Sequence, residues 1–276
     1  MKTWFITGCS SGFGRELVLN LLARGERVIA TARRAETLQQ FHAVARDNLL
    51  TLPLDVTDNT SVEQAVAHAI DTWDCIDVLI NNAGVGLRSA VEEADDHEIQ
   101  KIFQVNFFGA HRVTRAVLPH MRRERNGDIV MISSIGGRVS RPGSGFYSAT
   151  KFALEGISDA LRKEVLPLGI RVMLAEPSAF RTDFELGLTE SRNIIDDYTA
   201  TAGQRRRAIS NIHGTQPGDP AAAAETIINT VLCGDPPFRL LLGKSAVERA
   251  EQELQEQLAE LDKWRLVSVV ADGTAD

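Results

Sequence analysis

The stretch Thr3-Trp4-Phe5-Ile6-Thr7-Gly8-Cys9-Ser10-Ser11-Gly12-Phe13-Gly14-Arg15 decides the fold. A short apolar run ends in a glycine-rich turn, and Leu17, Leu21 and Leu22 then recur at helical spacing. That order predicts a buried strand, a turn and an amphipathic helix. Glycines at such a turn let backbone N–H groups approach a pyrophosphate, and the helix N-terminus adds partial positive charge. Gly8, Ser10, Ser11, Gly12, Phe13 and Gly14 are therefore the candidate phosphate cradle. Their spacing is Gly-x-x-x-Gly-x-Gly, not the commoner Gly-x-Gly-x-x-Gly, so the position between strand and helix carries more weight than the glycines alone.

The same alternation continues outward. Candidate strands are Thr3–Thr7, Arg27–Thr31, Leu49–Leu54, Val78–Asn81, Asp128–Ser133, Arg171–Ala175 and Phe238–Leu242. Helical spacing separates them, as at Val62, Ala65, Val66 and Ala69. Strands apolar on both faces and alternating with helices predict a mostly parallel, seven-stranded α/β sheet, doubly wound, with helices on both faces. Two segments depart from this pattern. Residues 178–216 mix polar and aromatic side chains, include Arg205-Arg206-Arg207 and contain no clean strand. Residues 245–265 are rich in Glu, Gln, Leu and Ala and read as an exposed C-terminal helix, with Ala271–Asp276 a frayed end. The expected division is a dinucleotide-binding catalytic domain over 1–245, including a substrate-loop segment at 178–216, and a helical extension with a tail over 246–276.

Composition sets bounds on function. The 276 residues carry 30 basic and 37 acidic side chains, a net charge of −7, with 43% hydrophobic residues. That balance argues against a nucleic acid or an anionic membrane as partner. Cys9, Cys75 and Cys233 form neither a disulfide framework nor a zinc pair, so a cytoplasmic location is expected. No signal peptide is expected from Met1-Lys2-Thr3, and no run approaches the roughly 18 apolar residues of a membrane span. The six histidines, at 42, 68, 97, 111, 120 and 213, form no ligand cluster, so no metal is expected.

The second strand selects between cofactors. An acid about 20 residues after the glycines holds a ribose 2′-hydroxyl in NAD-binding folds. Here that position reads Thr31-Ala32-Arg33-Arg34. A guanidinium pairs with a 2′-phosphate that an acid would repel, so Arg33 points to NADP(H). Ser10 could donate to the same phosphate.

Tyr147 and Lys151 stand four apart at a predicted helix start, which puts them on one face. A free tyrosine has a pKa of about 10. A neighbouring ammonium is expected to lower it, so that the pair exchanges a proton with an alcohol or carbonyl. Ser134 ends the fifth strand, thirteen residues earlier, and Asn81-Asn82-Ala83-Gly84 ends the fourth at the same sheet edge. Ligands of open α/β sheets bind beyond that edge. Asn106 interrupts an apolar helical stretch, Val105-Asn106-Phe107-Phe108, where asparagine is a poor helix former.

With these motifs in this order, over about residues 1–245, the chain resembles the short-chain dehydrogenase/reductase family in its compact single-domain (Rossmann) branch. The motifs are Thr7-Gly8 to Gly14, Asn81 to Gly84, Asn106, Ser134, Tyr147-x-x-x-Lys151, and Pro177 to Thr182. The resemblance implies a catalytic tetrad of Asn106, Ser134, Tyr147 and Lys151. Tyr147 would be the acid/base and Ser134 would orient the substrate oxygen. Lys151 would bind the nicotinamide ribose and Asn106 would hold a relay water. It also implies cofactor contacts from Asp55, Val56, Asn82, Ala83, Gly84, Pro177 and Thr182, in addition to Tyr147 and Lys151. The chain departs from the family's frequent Pro-Gly after the sixth strand, reading Glu176-Pro177-Ser178. Ala30 to Arg33 and Glu176-Pro177 are similar to steroid and retinol dehydrogenases of the family.

The reading that follows is hydride transfer between NADP(H) and a small-molecule carbonyl or secondary alcohol, an apolar one, by a homo-oligomer (dimer or tetramer). Phe180, Phe184, Leu186 and Leu188 either line the substrate pocket or anchor their loop. Two rival readings are an idle NADP(H)-sensing regulator and a sugar-nucleotide epimerase or dehydratase. The first needs no proton relay; the second is at odds with the glycine spacing and the short C-terminal region.

Overall fold

A computed structural model of the chain describes residues 1–45, 47–210 and 214–272. His213 and residues 273–276 of the expected frayed tail lie outside them. The chain runs through β1 (Thr3–Ile6), α1 (Gly12–Ala23), β2 (Arg27–Ala32), β3 (Leu49–Pro53), α2 (Asn59–Trp73), β4 (Val78–Asn81) and β5 (Leu87–Arg88). It continues through α3 (Asp96–Phe103), α4 (Ala110–Glu124), β6 (Gly127–Ile132), α5 (Gly145–Val165) and β7 (Ile170–Pro177). The last part holds β8 (Thr189–Glu190), α6 (Gln204–Ser210), α7 (Pro220–Leu232), β9 (Arg239–Leu242) and α8 (Lys244–Val269).

Seven strands form one sheet in the order β3-β2-β1-β4-β6-β7-β9, every pairing parallel. The period of two along β1 explains why it is covered on both sides. Trp4 and Ile6 join a core with Leu17 and Leu21 of α1 and Ile227 and Ile228 of α7. Phe5, between them, joins the opposite core with Val62 and Val66 of α2, Val117 of α4 and Leu154 of α5. The expected doubly wound sheet is thus present, with all seven strands in their expected places.

The strand order reverses direction between β1 and β4, and this reversal creates the crevice. Asn82, just after β4, donates its side-chain amide to the carbonyls of Thr7 and Gly8, both at 2.9 Å. In return the Thr7 hydroxyl accepts the N–H groups of Asn82 and Ala83, both at 3.0 Å. Gly8 adopts φ +73°, and a Cβ there would stand 2.8 Å from the Ala83 Cα. Both the left-handed backbone and the close approach require glycine.

Two differences from the expected pattern concern the rim of the crevice. Residues 178–216 do contain a strand: β8 pairs in parallel with β5, Leu87 opposite Thr189 and Arg88 opposite Glu190. A two-residue strand is too short for a period-two signal. The C-terminal helix α8 runs beyond 265, to Val269, and its first two turns are not wholly exposed but bury one face. Ala246 and Ala250 are buried against Ile135 and Leu241.

The packing at Gly14 yields a test. A Cβ there would collide with the Gly8 carbonyl and sit 2.6 Å from the Asn82 amide nitrogen. Gly14→Ala is expected to cost about 1–3 kcal/mol of stability by overpacking, read as an earlier midpoint in urea unfolding. An unchanged midpoint would show that the junction yields freely.

Candidate active site

The N-terminus of α1 faces the crevice with its backbone donors free of side-chain caps. Ser11 is the N-cap residue but makes no side-chain cap hydrogen bond, and the first turn holds no acid. Uncapped N–H groups and an acid-free turn fit an anion such as a pyrophosphate. Gly12, at φ +56°, keeps its Cα face open toward Thr182, whose side chain would lie 3.5 Å from a Cβ built there. Phe13 packs edge-on against Phe180, ring centroids 5.0 Å apart. Ser10 is held through its carbonyl by the Gln40 amide at 3.2 Å, which leaves its hydroxyl out of that bond.

Arg33 stands exposed at the end of β2 and makes no ion pair among the described residues. Asp55, beyond β3, accepts from the Thr57 N–H at 2.8 Å, and its own N–H donates to the Ser61 hydroxyl at 3.0 Å. Val56 is buried and its carbonyl accepts from Arg112. The residues expected to contact a dinucleotide thus follow the carboxyl edge of β3, β2, β1 and β4, while Pro177 ends β7 and Thr182 follows it.

Asn106 lies in a π-helical turn, Gln104–Gly109, between α3 and α4. The extra residue in such a turn redirects one side chain inward, a frequent device at functional sites. Asn106 is 1% exposed. Its Oδ1 accepts from the Val85 N–H at 2.8 Å, and its Nδ2 donates to the Val85 carbonyl at 2.9 Å and the Thr150 hydroxyl at 3.1 Å. Thr150 in turn donates to the Tyr147 carbonyl at 2.7 Å. Asn106 therefore clamps the chain after Gly84 to the helix that carries Tyr147.

Ser134 follows β6, accepts from the Gly136 N–H at 2.9 Å, and forms a hydrogen bond with the Tyr147 phenol. Lys151, one turn after Tyr147, is buried and donates to the Ile132 carbonyl at 2.8 Å. Its Nζ is 5.8 Å from the centroid of the Tyr147 ring. Ser134, Tyr147 and Lys151 all line one cavity of about 480 Å³ beyond the carboxyl edge of the sheet.

The electrostatics correct one expectation. Burial pushes the Tyr147 phenol above its ordinary value of 10.0, with the Ser134 hydrogen bond pulling the other way. The expected lowering by Lys151 is not the dominant influence. The reason is the burial of the phenol itself; Lys151 is desolvated in the same place, and burial lowers it to about 8, a fall that the charge of Glu155 partly offsets. A raised phenol is protonated at neutral pH and suits donation to an oxygen.

The loop after β7 also takes sides in the cavity. Phe180, Phe184 and Leu188 line it, and Phe184 packs against Tyr147 at 5.9 Å between centroids. Leu186 points away and is largely exposed. Sequence reasoning missed Ser245 and Arg249 of α8, whose local pattern reads as an exposed helix. Only tertiary packing turns them inward. Arg205 lies in the expected substrate-loop segment 178–216, and Arg141, before α5, also lines the cavity. Among the described residues no three His, Cys, Asp or Glu side chains gather as a metal site would require.

The family model described as short chain dehydrogenase matches residues 2–193. This chain belongs to that family. A 3-ketodihydrosphingosine reductase from Bacteroides thetaiotaomicron is 40% identical over 247 residues, covering 86% of each chain. A solved short-chain dehydrogenase from Streptomyces avermitilis is 39% identical, with a TM-score of 0.91 over 98% of this chain and all of the other. A serine dehydrogenase solved with NADP+ is 27% identical, with a TM-score of 0.75 over 87% of this chain and 94% of its own. As a short-chain dehydrogenase the chain is an oxidoreductase, and the family's nicotinamide cofactor fits the crevice described above. No helix among the described residues is long and apolar enough to cross a membrane.

The buried lysine makes stability depend on pH in a defined direction. The pKa of Lys151 falls from 10.5 when free to about 8 when folded. Between those values the unfolded chain binds more protons, so the contribution is present above 10.5 and lost as pH falls through 8. Relative to Lys151→Met, the wild type should gain up to about 3 kcal/mol between pH 7 and pH 10.5. Paired urea titrations across that range measure it. A gap that stays constant would contradict the buried, desolvated lysine.

Proposed function

We propose that the chain catalyses hydride transfer between NADP(H) and a small-molecule carbonyl or secondary alcohol, with Tyr147 as the acid/base. The observation that carries this reading is the convergence of Ser134, Tyr147 and Lys151 on one cavity, with Asn106 fixing the backbone between them. When bound, the nicotinamide supplies or accepts the hydride at its C4. The protein handles the proton. In the reductive direction the Tyr147 hydroxyl donates to the substrate oxygen, and the Ser134 hydroxyl orients both. Lys151 holds the ribose and keeps positive charge beside the phenol while the proton leaves. Asn106 supports a water on the path that reprotonates Tyr147.

Gly8 to Gly14, Asp55, Val56, Asn82 to Gly84, Pro177 and Thr182 are the residues we assign to the dinucleotide. Arg33 is assigned to the 2′-phosphate, on its exposure at the end of β2 and its lack of an ion pair among the described residues. The catalytic domain spans 1–245 with its substrate loop at 178–216. The extension from 246 begins packed on the catalytic domain, with Ala246 and Ala250 against Ile135 and Leu241 in a small cluster of their own. Phe108 and Phe152 stand exposed beside Asn106 and Tyr147 in sequence. They support a homo-oligomer, dimer or tetramer, formed through those helices. A cytoplasmic location belongs to the same reading.

Two measurements test it. Tyr147→Phe should lower turnover of NADPH with ketone substrates by about 10²–10⁴-fold while NADPH still binds, as followed by fluorescence; turnover at the wild-type rate would refute the mechanism. Arg33→Asp should reduce the preference for NADPH over NADH by at least about tenfold, the loss of one charged pairing. An unchanged ratio of kcat/KM values would remove Arg33 from the cofactor site.

A further inference from the structure

The cavity that holds Tyr147 also contains an excess of positive charge that proton transfer does not require. Arg141, from the loop before α5, Arg205 of α6 and Arg249 of α8 all line it. Among the described residues none of the three donates a side-chain hydrogen bond or forms an ion pair. The contrast with Arg206 is informative. Arg206 reaches the buried Glu93 at 2.5 Å, and Glu93 also accepts from the N–H groups of Ala90 and Ile195. That anchor fixes α6 and sends the adjacent Arg205 into the cavity. The Arg205 Nε is buried there without a partner.

Among the described residues one carboxylate faces this group. Glu185 lines the same cavity and attracts Arg205, but it also accepts from the Gln216 amide at 2.9 Å. Arg88 adds to the positive field, although Glu190 engages it at 3.1 Å. Burial and the charges of Arg141 and Arg205 hold Arg249 down to about 10. Guanidinium groups held close enough to repel one another, and partly desolvated, are costly unless something compensates them. An acidic protein of net charge −7 has carboxylates to place there and has placed one. Val139, Phe184 and Leu188 give the same cavity an apolar part of its wall, and Phe184 of that part packs against Tyr147.

We propose that Arg141, Arg205 and Arg249 form an anion-binding subsite in the wall of the substrate cavity, so that the carbonyl compound taken here carries a carboxylate or phosphate joined to its carbonyl by an apolar chain. The proposal rests on the reading of this cavity as the site of carbonyl chemistry. It replaces the uncharged apolar substrate expected from the sequence with an amphiphilic one. Guanidinium forks match both anions through paired hydrogen bonds, and the cavity volume of about 480 Å³ suits a ligand of that size.

Calorimetry on the protein saturated with NADP+ tests this with three probes of equal chain length: octanoate, octyl phosphate and octanamide. At least one anion should bind ten-fold or more tightly than octanamide. A preference for octanoate or for octyl phosphate identifies which group the substrate carries. Arg249→Gln should remove most of the preference. Arg141→Glu, at an exposed position that perturbs folding little, should also weaken it by at least about tenfold. Equal binding of all three probes, or a preference that survives both substitutions, overturns the subsite. NADPH oxidation with 8-oxononanoate and its methyl ester separates this proposal from the one before it. Anion-selective binding without turnover of any ketone leaves the subsite standing and removes the assigned reaction. Turnover of neutral ketones without anion selectivity removes the subsite and leaves the reaction.

Discussion

The side chain of Asn82 fastens the two strands at whose ends everything else is built. Its amide bonds to the carbonyls of Thr7 and Gly8, and the Thr7 hydroxyl answers by accepting two N–H groups from the β4 end. These groups would otherwise be exposed carbonyls and amides at a sheet edge, where they must find partners. Because they satisfy one another, the turn at Gly8 can stay tight, and the N-terminal donors of α1 remain available for a ligand. Gly14 then has to lack a side chain, since the Gly8 carbonyl and the Asn82 amide occupy that space. A polar junction at the sheet's reversal point thus fixes the cradle before any ligand arrives.

A second network fixes the other half of the site. Lys151 is buried and bonded to the Ile132 carbonyl, which ties α5 to the end of β6. Glu155, one turn later, is held by Arg239 at 2.9 Å, and Arg239 also approaches the fully buried Glu176, itself paired with Arg138 at 2.5 Å. Charges of alternating sign therefore run from the cavity into the layer between α5 and β9. Within this array the charge of Glu155 partly offsets the desolvation of Lys151. Glu176, where the sequence leaves the family's usual pattern only at the following Ser178, is part of that array. Desolvation still wins at Lys151, whose charge is weakened to about 8.

The sheet was legible because its signal is local. Seven apolar runs bounded by turns need no tertiary information, and each became a strand. Ser134, Tyr147 and Lys151 were legible because strand ends and i,i+4 spacing fix where such side chains go. Asn106 was noticeable as a poor helix residue, but the π-turn that turns it inward has no local sequence pattern, and Gly109 within it stands close against Val56, far away in the chain. The influence of Lys151 on Tyr147 was misjudged for a similar reason. Spacing reports proximity, whereas the pKa depends on burial, which is a property of the whole fold.

The arginines illustrate the same limit most sharply. Arg205-Arg206-Arg207 is one basic run in the sequence, yet its members part company. Arg206 turns to Glu93, Arg207 donates to the Thr199 carbonyl at 3.3 Å, and Arg205 enters the cavity. Arg249 lies in a helix whose composition reads as surface, and its direction is set by Ala246 and Ala250, small enough to let α8 lie against Ile135 and Leu241. Two alanines and one buried glutamate therefore decide the electrostatics of a cavity they do not line. Substrate preference in such a fold is governed by how the peripheral helices are seated, because the sheet edge supplies the chemistry and the rim supplies the charge.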